Sequence, residues 1–303
     1  MKKQKWKGNT GGGLLGQQSL IAFFRFLDIR IGYFLLRLIV PLYMLFSRKG
    51  YNAIYSFFRK KLNFSARQAF AKTYKNHFVF GQVILDRFAV FAGRKDLFDI
   101  EIIGNEHFLR LANEDKGFII ASSHIGNFEI GGYFLHSEKK KINALIYSGE
   151  TKTVQENRSK LLRSNNINLI PVLGDMSHLF TINAALQNGE IVSMPCDRNL
   201  GSTKSLKCDF INGKANFPIG TFVLAATFNV EVLSIFVIKK SPRKYTVYVK
   251  PIEIVENPSE KITKQQKVEL LTRSYVKEVE NIVRKYPEQW FNYYAFWDNT
   301  ENQ

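Results

Sequence analysis

A chain of 303 residues that is 45% hydrophobic, with 26 Phe and 13 Tyr, has apolar volume for one large core with or without a helical appendage. Two cysteines are too few for a disulfide framework, and no spacing of His, Cys and Asp suggests a metal site. The net charge of +17 points to an anionic partner: membrane phosphate, an acidic protein or nucleic acid.

The basic charge is concentrated at the start. Residues 1–75 hold fifteen Lys or Arg against one acid, Asp28, while the rest of the chain is nearly balanced. Between those cations lie Phe23, Phe24, Phe26, Tyr33, Phe34, Leu38, Leu42, Leu45 and Phe46. Nucleic-acid arms rarely carry such aliphatic bulk, and no zinc or recognition-helix motif appears, so no nucleic-acid partner is expected. The run from Ile31 to Phe46 contains Arg37 and Pro41 and falls short of the roughly 20 apolar residues of a spanning helix. It is expected to lie in or dip into the inner leaflet, with Arg25, Arg30, Arg37, Arg48 and Lys49 reaching lipid phosphates. A single tilted span and a buried core helix are the alternatives. Residues 1–50 are therefore assigned as a membrane-anchoring segment and 51–303 as the globular domain. The polar, Gly-rich opening has no early apolar region for signal cleavage, which places the bulk of the chain in the cytoplasm.

Residues 50–93 read as a long helical stretch. Residues 117–123 read as a short buried strand bounded by Gly and Ser. A helix over 127–137, a strand over 142–147, a polar helix over 151–164 and a strand over 167–173 follow. A helix over 176–188 stops at Asn188-Gly189, and residues 190–194 form the next strand. Asn212-Gly213 signals a hairpin. Then come an apolar helix over 219–228, strands over 231–238 and 244–251, and a helix over 260–285 with a core-facing stripe. Strands alternating with helices at this spacing predict an α/β fold, a mixed, largely parallel central sheet flanked by helices. Ligands in such sheets gather beyond the carboxyl ends of strands. Two polar clusters fall there, Ser122-Ser123-His124 and Cys196-Asp197-Arg198.

His124 and Glu129 form an H-x4-E pair, a spacing that is common by chance; its position at the close of a buried strand gives it weight. Acyl transfer to a hydroxyl or amine needs a base, and an imidazole supported by a carboxylate suits that role near neutral pH. Five residues is about 140° off one helical face. His124 is therefore placed in the turn before the helix, with Glu129 reaching back and Gly126 and Asn127 making the bend.

The segment from Ser123 to Glu129, Ser-His-Ile-Gly-Asn-Phe-Glu, resembles the first block of the bacterial lipid A late acyltransferases, in the wider lysophospholipid acyltransferase superfamily. Cys196-Asp197-Arg198-Asn199-Leu200-Gly201 looks like the second block. The stretch from Asn216 to Ala225, with Pro218-Ile219-Gly220, looks like the third, and Tyr286-Pro287-Glu288-Gln289-Trp290 like the terminal one. The resemblance implies a fatty acyl thioester donor, usually acyl carrier protein, a lipid acceptor such as a lipid A precursor, and no cofactor. It implies His124 as base, Glu129 as its orienting partner and Arg198 as an electrostatic or positioning residue. Asn127, Gly201, Lys204, Pro218 and Gly220 complete the expected substrate contacts. It places the enzyme on the cytoplasmic face of the bacterial inner membrane. The opening around Trp6-Lys7-Gly8, Phe80-Gly81 and Asp86-Arg87 look like a divergent branch, associated with amino-acid-based lipids and aryl-polyene pigments. O-acylation of such an acceptor, or a non-catalytic scaffold of the same fold, is the alternative reading.

Overall fold

The computed structural model describes residues 13–134, 137–147, 166–172, 177–198, 204–254 and 262–297. The expected polar helix over 151–164, the opening around Trp6 and Gly201 lie outside the described residues.

The chain begins with helices α1 (Gly13–Phe26), α2 (Ile29–Phe46) and α3 (Arg48–Ser56), one π-helical turn (Phe57–Lys61), and α4 (Ala66–Phe91). The single helix expected over 50–93 is thus interrupted. It restarts at Ser65, whose hydroxyl accepts from the Gln68 backbone while the Gln68 side chain accepts from Ser65 N–H, a reciprocal cap that fixes the start of α4. Strand β1 (Asp99–Ile103) and helix α5 (Asn105–Asn113) follow, neither marked by the sequence patterns above. Next come β2 (Phe118–Ser122), α6 (Phe128–Phe134), β3 (Ile142–Tyr147), β4 (Ile167–Val172), α7 (His178–Gln187) and β5 (Ile191–Pro195). The hairpin β6 (Ser205–Asp209) and β7 (Lys214–Pro218) leads into α8 (Gly220–Phe228), β8 (Val232–Lys239), β9 (Lys244–Pro251) and α9 (Lys264–Lys285).

The main sheet runs β1-β9-β8-β2-β5-β3-β4. Its described pairs are parallel except β8 with β9. Strands β2 and β8 are buried along their whole lengths, as the middle of a sheet covered on both faces requires. Alternate residues of β2 serve opposite layers. Phe118 and Ile120 join the layer holding Tyr33, Leu36, Leu85 and Phe108, and Ile119 and Ala121 join that of Phe222, Ala225, Tyr275 and Val279. The stripe expected on the last helix faces this second layer.

The hairpin turns one residue earlier than the Asn-Gly signal. Asp209 pairs with Lys214, Phe210 N–H bonds to Gly213 O at 2.8 Å, and Ile211 and Asn212 carry positive φ. Phe210, 1% exposed and packed on Phe217, Trp290 and Trp297, anchors the register. Burying that ring outweighs the cost of a β-branched residue at φ 42°.

Candidate active site

Strands β2 and β5 are parallel neighbours, with Ser122 opposite Pro195. Two residues further along each chain stand His124 and Asp197, so the strand register by itself delivers them to one place beyond the carboxyl edge of the sheet. Asp197 grips the histidine twice. Its Oδ1 lies 2.7 Å from His124 Nδ1, and its Oδ2 accepts the His124 backbone N–H at 2.9 Å. The Asp197 side chain is 2% exposed and that of His124 20%.

Burial pushes the Asp197 carboxyl up. The neighbouring His124, its hydrogen bond, Arg198 and the His124 backbone N–H outweigh that, and the net result lies below the ordinary aspartate value. An ionised carboxylate can only accept, so Nδ1 carries the hydrogen. Nε2 is then the basic nitrogen, and it has no partner among the described residues. The Phe128 ring stands edge-on to the imidazole at 5.8 Å.

The turn carrying His124 is clamped from two sides. Gly126 N–H donates to Gln289 O and Asn127 N–H to Val237 O, both at 2.8 Å, and Phe291 N–H donates to His124 O at 3.0 Å. Gly126 sits at φ 62°, and a Cβ there would lie 1.9 Å from Val237 O. Only glycine fits that approach. The terminal block is packed, with Trp290 1% exposed, and it also pairs with the turn through Ile125.

The expected partnership of His124 with Glu129 is corrected. The carboxylate on Nδ1 belongs to Asp197. Glu129, in the first turn of α6, meets Arg87 of α4 at 3.3 Å. His124 does sit in the turn before the helix, and from there it faces the end of β5. Asn127 is also placed differently from a substrate contact. It is 2% exposed, its Oδ1 accepts from Ile130 N–H at 3.1 Å to cap α6, and its Nδ2 donates to Tyr245 OH at 3.2 Å.

Arg198 donates from Nη2 to Phe291 O at 2.7 Å and lies 5.7 Å from the Tyr294 ring centre, which fixes the terminal segment over the site. Its Nε is buried and unpartnered among the described residues. Pro218 ends β7 and Gly220 opens α8, where a Cβ would meet open space. The next residue, Thr221, lies 3.0 Å from Cys196 Sγ, so this turn adjoins the end of β5. Lys204 is exposed, and its carbonyl accepts from Ile219 N–H at 3.4 Å, which ties it to the same turn. Asp197 as the histidine's partner and Arg87 as that of Glu129 escaped the sequence reading. The one available signal was that each of two buried strands ends two residues before its polar side chain.

A histidine pinned through one nitrogen and open at the other stands beyond the strand ends of an α/β sheet, where ligands of such sheets gather. A family model for bacterial lipid A biosynthesis acyltransferases matches residues 68–297. The chain belongs to that family and is an acyltransferase acting on a lipid. Among solved structures, the 1-acyl-sn-glycerophosphate (LPA) acyltransferase PlsC of Thermotoga maritima is similar over 82% of this chain and 95% of its own. The identity is 14% and the TM-score 0.38. No curated protein matches.

Proposed function

We propose that the protein moves a fatty acyl chain from a carrier-protein thioester to a hydroxyl or amine of a lipid acceptor of the lipid A precursor type, with His124 as general base. The observation that carries this reading is the 2.7 Å contact between His124 Nδ1 and Asp197, which leaves Nε2 open. Nε2 takes the proton of the acceptor's O–H or N–H as that atom attacks the thioester carbon. Asp197 stabilises the imidazolium that forms. The new C–O or C–N bond closes as the C–S bond breaks, and the imidazolium returns its proton to the departing thiolate. Arg198 and the Pro218–Gly220 turn border the site on the sides where substrate would lie.

The acidic donor and an anionic leaflet both suit a chain of net charge +17. Helix α2 supports membrane association, and the side proposed for it is the cytoplasmic face. Tyr33, Leu36, Val40 and Met44 are buried, while Phe34, Leu38, Leu42, Leu45 and Phe46 are exposed. The helix is long and apolar enough to cross a membrane, yet one face is packed on the enzyme, as in a helix lying in the interface.

The test is mass spectrometry of total host lipids with and without the gene, complemented by wild type or His124→Ala. Loss of one acyl group from a lipid A precursor, restored by wild type and not by His124→Ala, is the expected result. The same loss in an amino-acid lipid or a polyene pigment would move the acceptor. Unchanged lipids, or full rescue by His124→Ala, would overturn the catalytic reading.

A further inference from the structure

A second polar centre lies deep in the molecule and takes no part in the proton transfer described above. Asp86 of α4 and Lys239 at the end of β8 meet at 2.5 Å, with side chains 0% and 3% exposed. Tyr33 of α2 donates its hydroxyl hydrogen to Asp86 Oδ1, and Tyr245 of β9 donates to Oδ2. Lys239 Nζ also reaches Tyr33 OH and Pro242 O, each at 3.0 Å. Burial raises the Asp86 carboxyl and lowers the Lys239 ammonium, and either placement of the shared proton leaves the pair neutral overall. Taking two such charges out of water is costly, and apolar residues of similar volume often serve stability equally well. Stability alone is therefore a weak account of this set of residues.

Its connections are more informative. Tyr245 OH, committed as donor to Asp86, accepts from Asn127 Nδ2 at 3.2 Å, and Asn127 is both the end of the catalytic turn and the cap of α6. The Lys239 backbone is paired on both sides with the Gln289 side chain, N–H to Oε1 at 2.9 Å and O from Nε2 at 2.8 Å. Gln289 O in turn holds Gly126 N–H. Arg87, next in sequence to Asp86, holds Glu129. Each route runs from the buried pair to the segment 124–129. The remaining member, Tyr33, stands on α2, the helix with the exposed apolar face.

We propose that Asp86, Lys239 and Tyr245 are positioning residues that set the direction of His124 through Asn127 and Gln289, and that Tyr33 ties that setting to helix α2. The proposal rests on His124 being the base. None of these groups touches the reacting atoms. They act by holding the turn, and a misplacement of about 1 Å at such a turn is worth up to about a hundredfold in rate.

The experiment follows thiol release from an acyl carrier protein thioester in the presence of vesicles of total host lipid, with rates expressed per folded molecule. Tyr245→Phe removes one hydroxyl and keeps the ring. Its kcat is expected to fall about ten- to a hundredfold with KM within about twofold. Asn127→Ala falls comparably, and the double variant falls no further, because both break one path. Val279→Ala is the control, a core residue of the opposite layer that lowers the melting temperature without touching the network; its kcat per folded molecule stays at the wild-type value. Wild-type kcat in Tyr245→Phe, additive losses in the double variant, or an equal fall in Val279→Ala would overturn the proposal. His124→Ala, run alongside, separates the two readings. An inactive His124→Ala with a fully active Tyr245→Phe sinks the positioning role alone, and an active His124→Ala sinks the base assignment beneath it.

Discussion

His124 and Asp197 share two hydrogen bonds, one to the ring and one to the backbone, so the aspartate fixes both where the imidazole sits and which nitrogen is basic. Asparagine at position 197 keeps the shape but can donate to Nδ1. The hydrogen then moves to Nε2, and the base is lost. Asp197→Asn is expected to lower kcat about 10²- to 10⁴-fold with a small change in KM. Glu129→Gln weakens the pair with Arg87 and is expected to cost less than about tenfold. Arg87→Met removes the other member of that ion pair, and the double variant should lose less than the sum of the two single variants. Steady-state kinetics on the four variants decides which carboxylate serves the histidine. A larger loss in Glu129→Gln than in Asp197→Asn would reverse the assignment.

At the scale of elements, the turn carrying His124 depends on two segments that are remote in sequence, β8 and residues 288–291. Helix α4 holds the second of these. Lys72 and Lys75 reach Glu288 Oε1 at 2.5 and 3.3 Å, and Asn76 Nδ2 bonds the backbone oxygens of Glu288 and Trp290. Burial pushes the Glu288 carboxyl up, but the lysines and the local hydrogen bonds win and its pKa is lowered. A carboxyl whose folded pKa is depressed adds stability above its unfolded pKa and loses it as pH falls through the folded value. Wild type is therefore expected to lose stability from the ordinary glutamate range downward, and Glu288→Gln to show a lower melting temperature at pH 7 with a flatter acid limb. Equal pH slopes in thermal melts would refute this. Gly126→Ala is expected to lower both the melting temperature and kcat, since Val237 O occupies the space of the added methyl.

For the whole molecule, the governing feature is the two-faced helix α2. Its inner face contributes to the same apolar layer as Phe118 and Ile120 of the central strand, while its outer face exposes Phe34, Leu38, Leu42 and Phe46 in a continuous apolar strip. A soluble surface rarely carries such a strip without a partner. Leu38→Asp with Leu42→Asp is expected to abolish sedimentation with anionic vesicles while leaving the melting temperature unchanged, since neither side chain enters the core. Unchanged vesicle binding would show that the strip serves another surface. Binding by wild type should weaken, without vanishing, between 0.1 and 1 M salt, where the Debye length shortens from about 10 to 3 Å and leaves the apolar contribution in place.

The amino-acid sequence by itself determined the kinds of elements and much of their chemistry. The apolar runs over 117–123 and 231–238 read as strands, and strands stand there at Phe118–Ser122 and Val232–Lys239. The bend at Gly126, a candidate base at His124 and the apolar run over 31–46 follow from residue type and period. β1 and α5 were missed although each carries a pattern, since Asp99–Ile103 alternates in exposure and Asn105–Asn113 buries Phe108, Leu111 and Ala112 at helical spacing; both are short, which leaves few periods to read. What only the tertiary structure decided is which groups meet. Asp197 replaces Glu129 beside the histidine because β2 and β5 are adjacent and in register, a pairing across 73 residues that no local pattern encodes. Asn127 turns inward because Tyr245, from a strand more than a hundred residues later, offers it a partner. Local sequence carries backbone preference and hydrophobic period, whereas hydrogen-bond partnership at a site depends on strand order and register, which are set by packing the whole core at once.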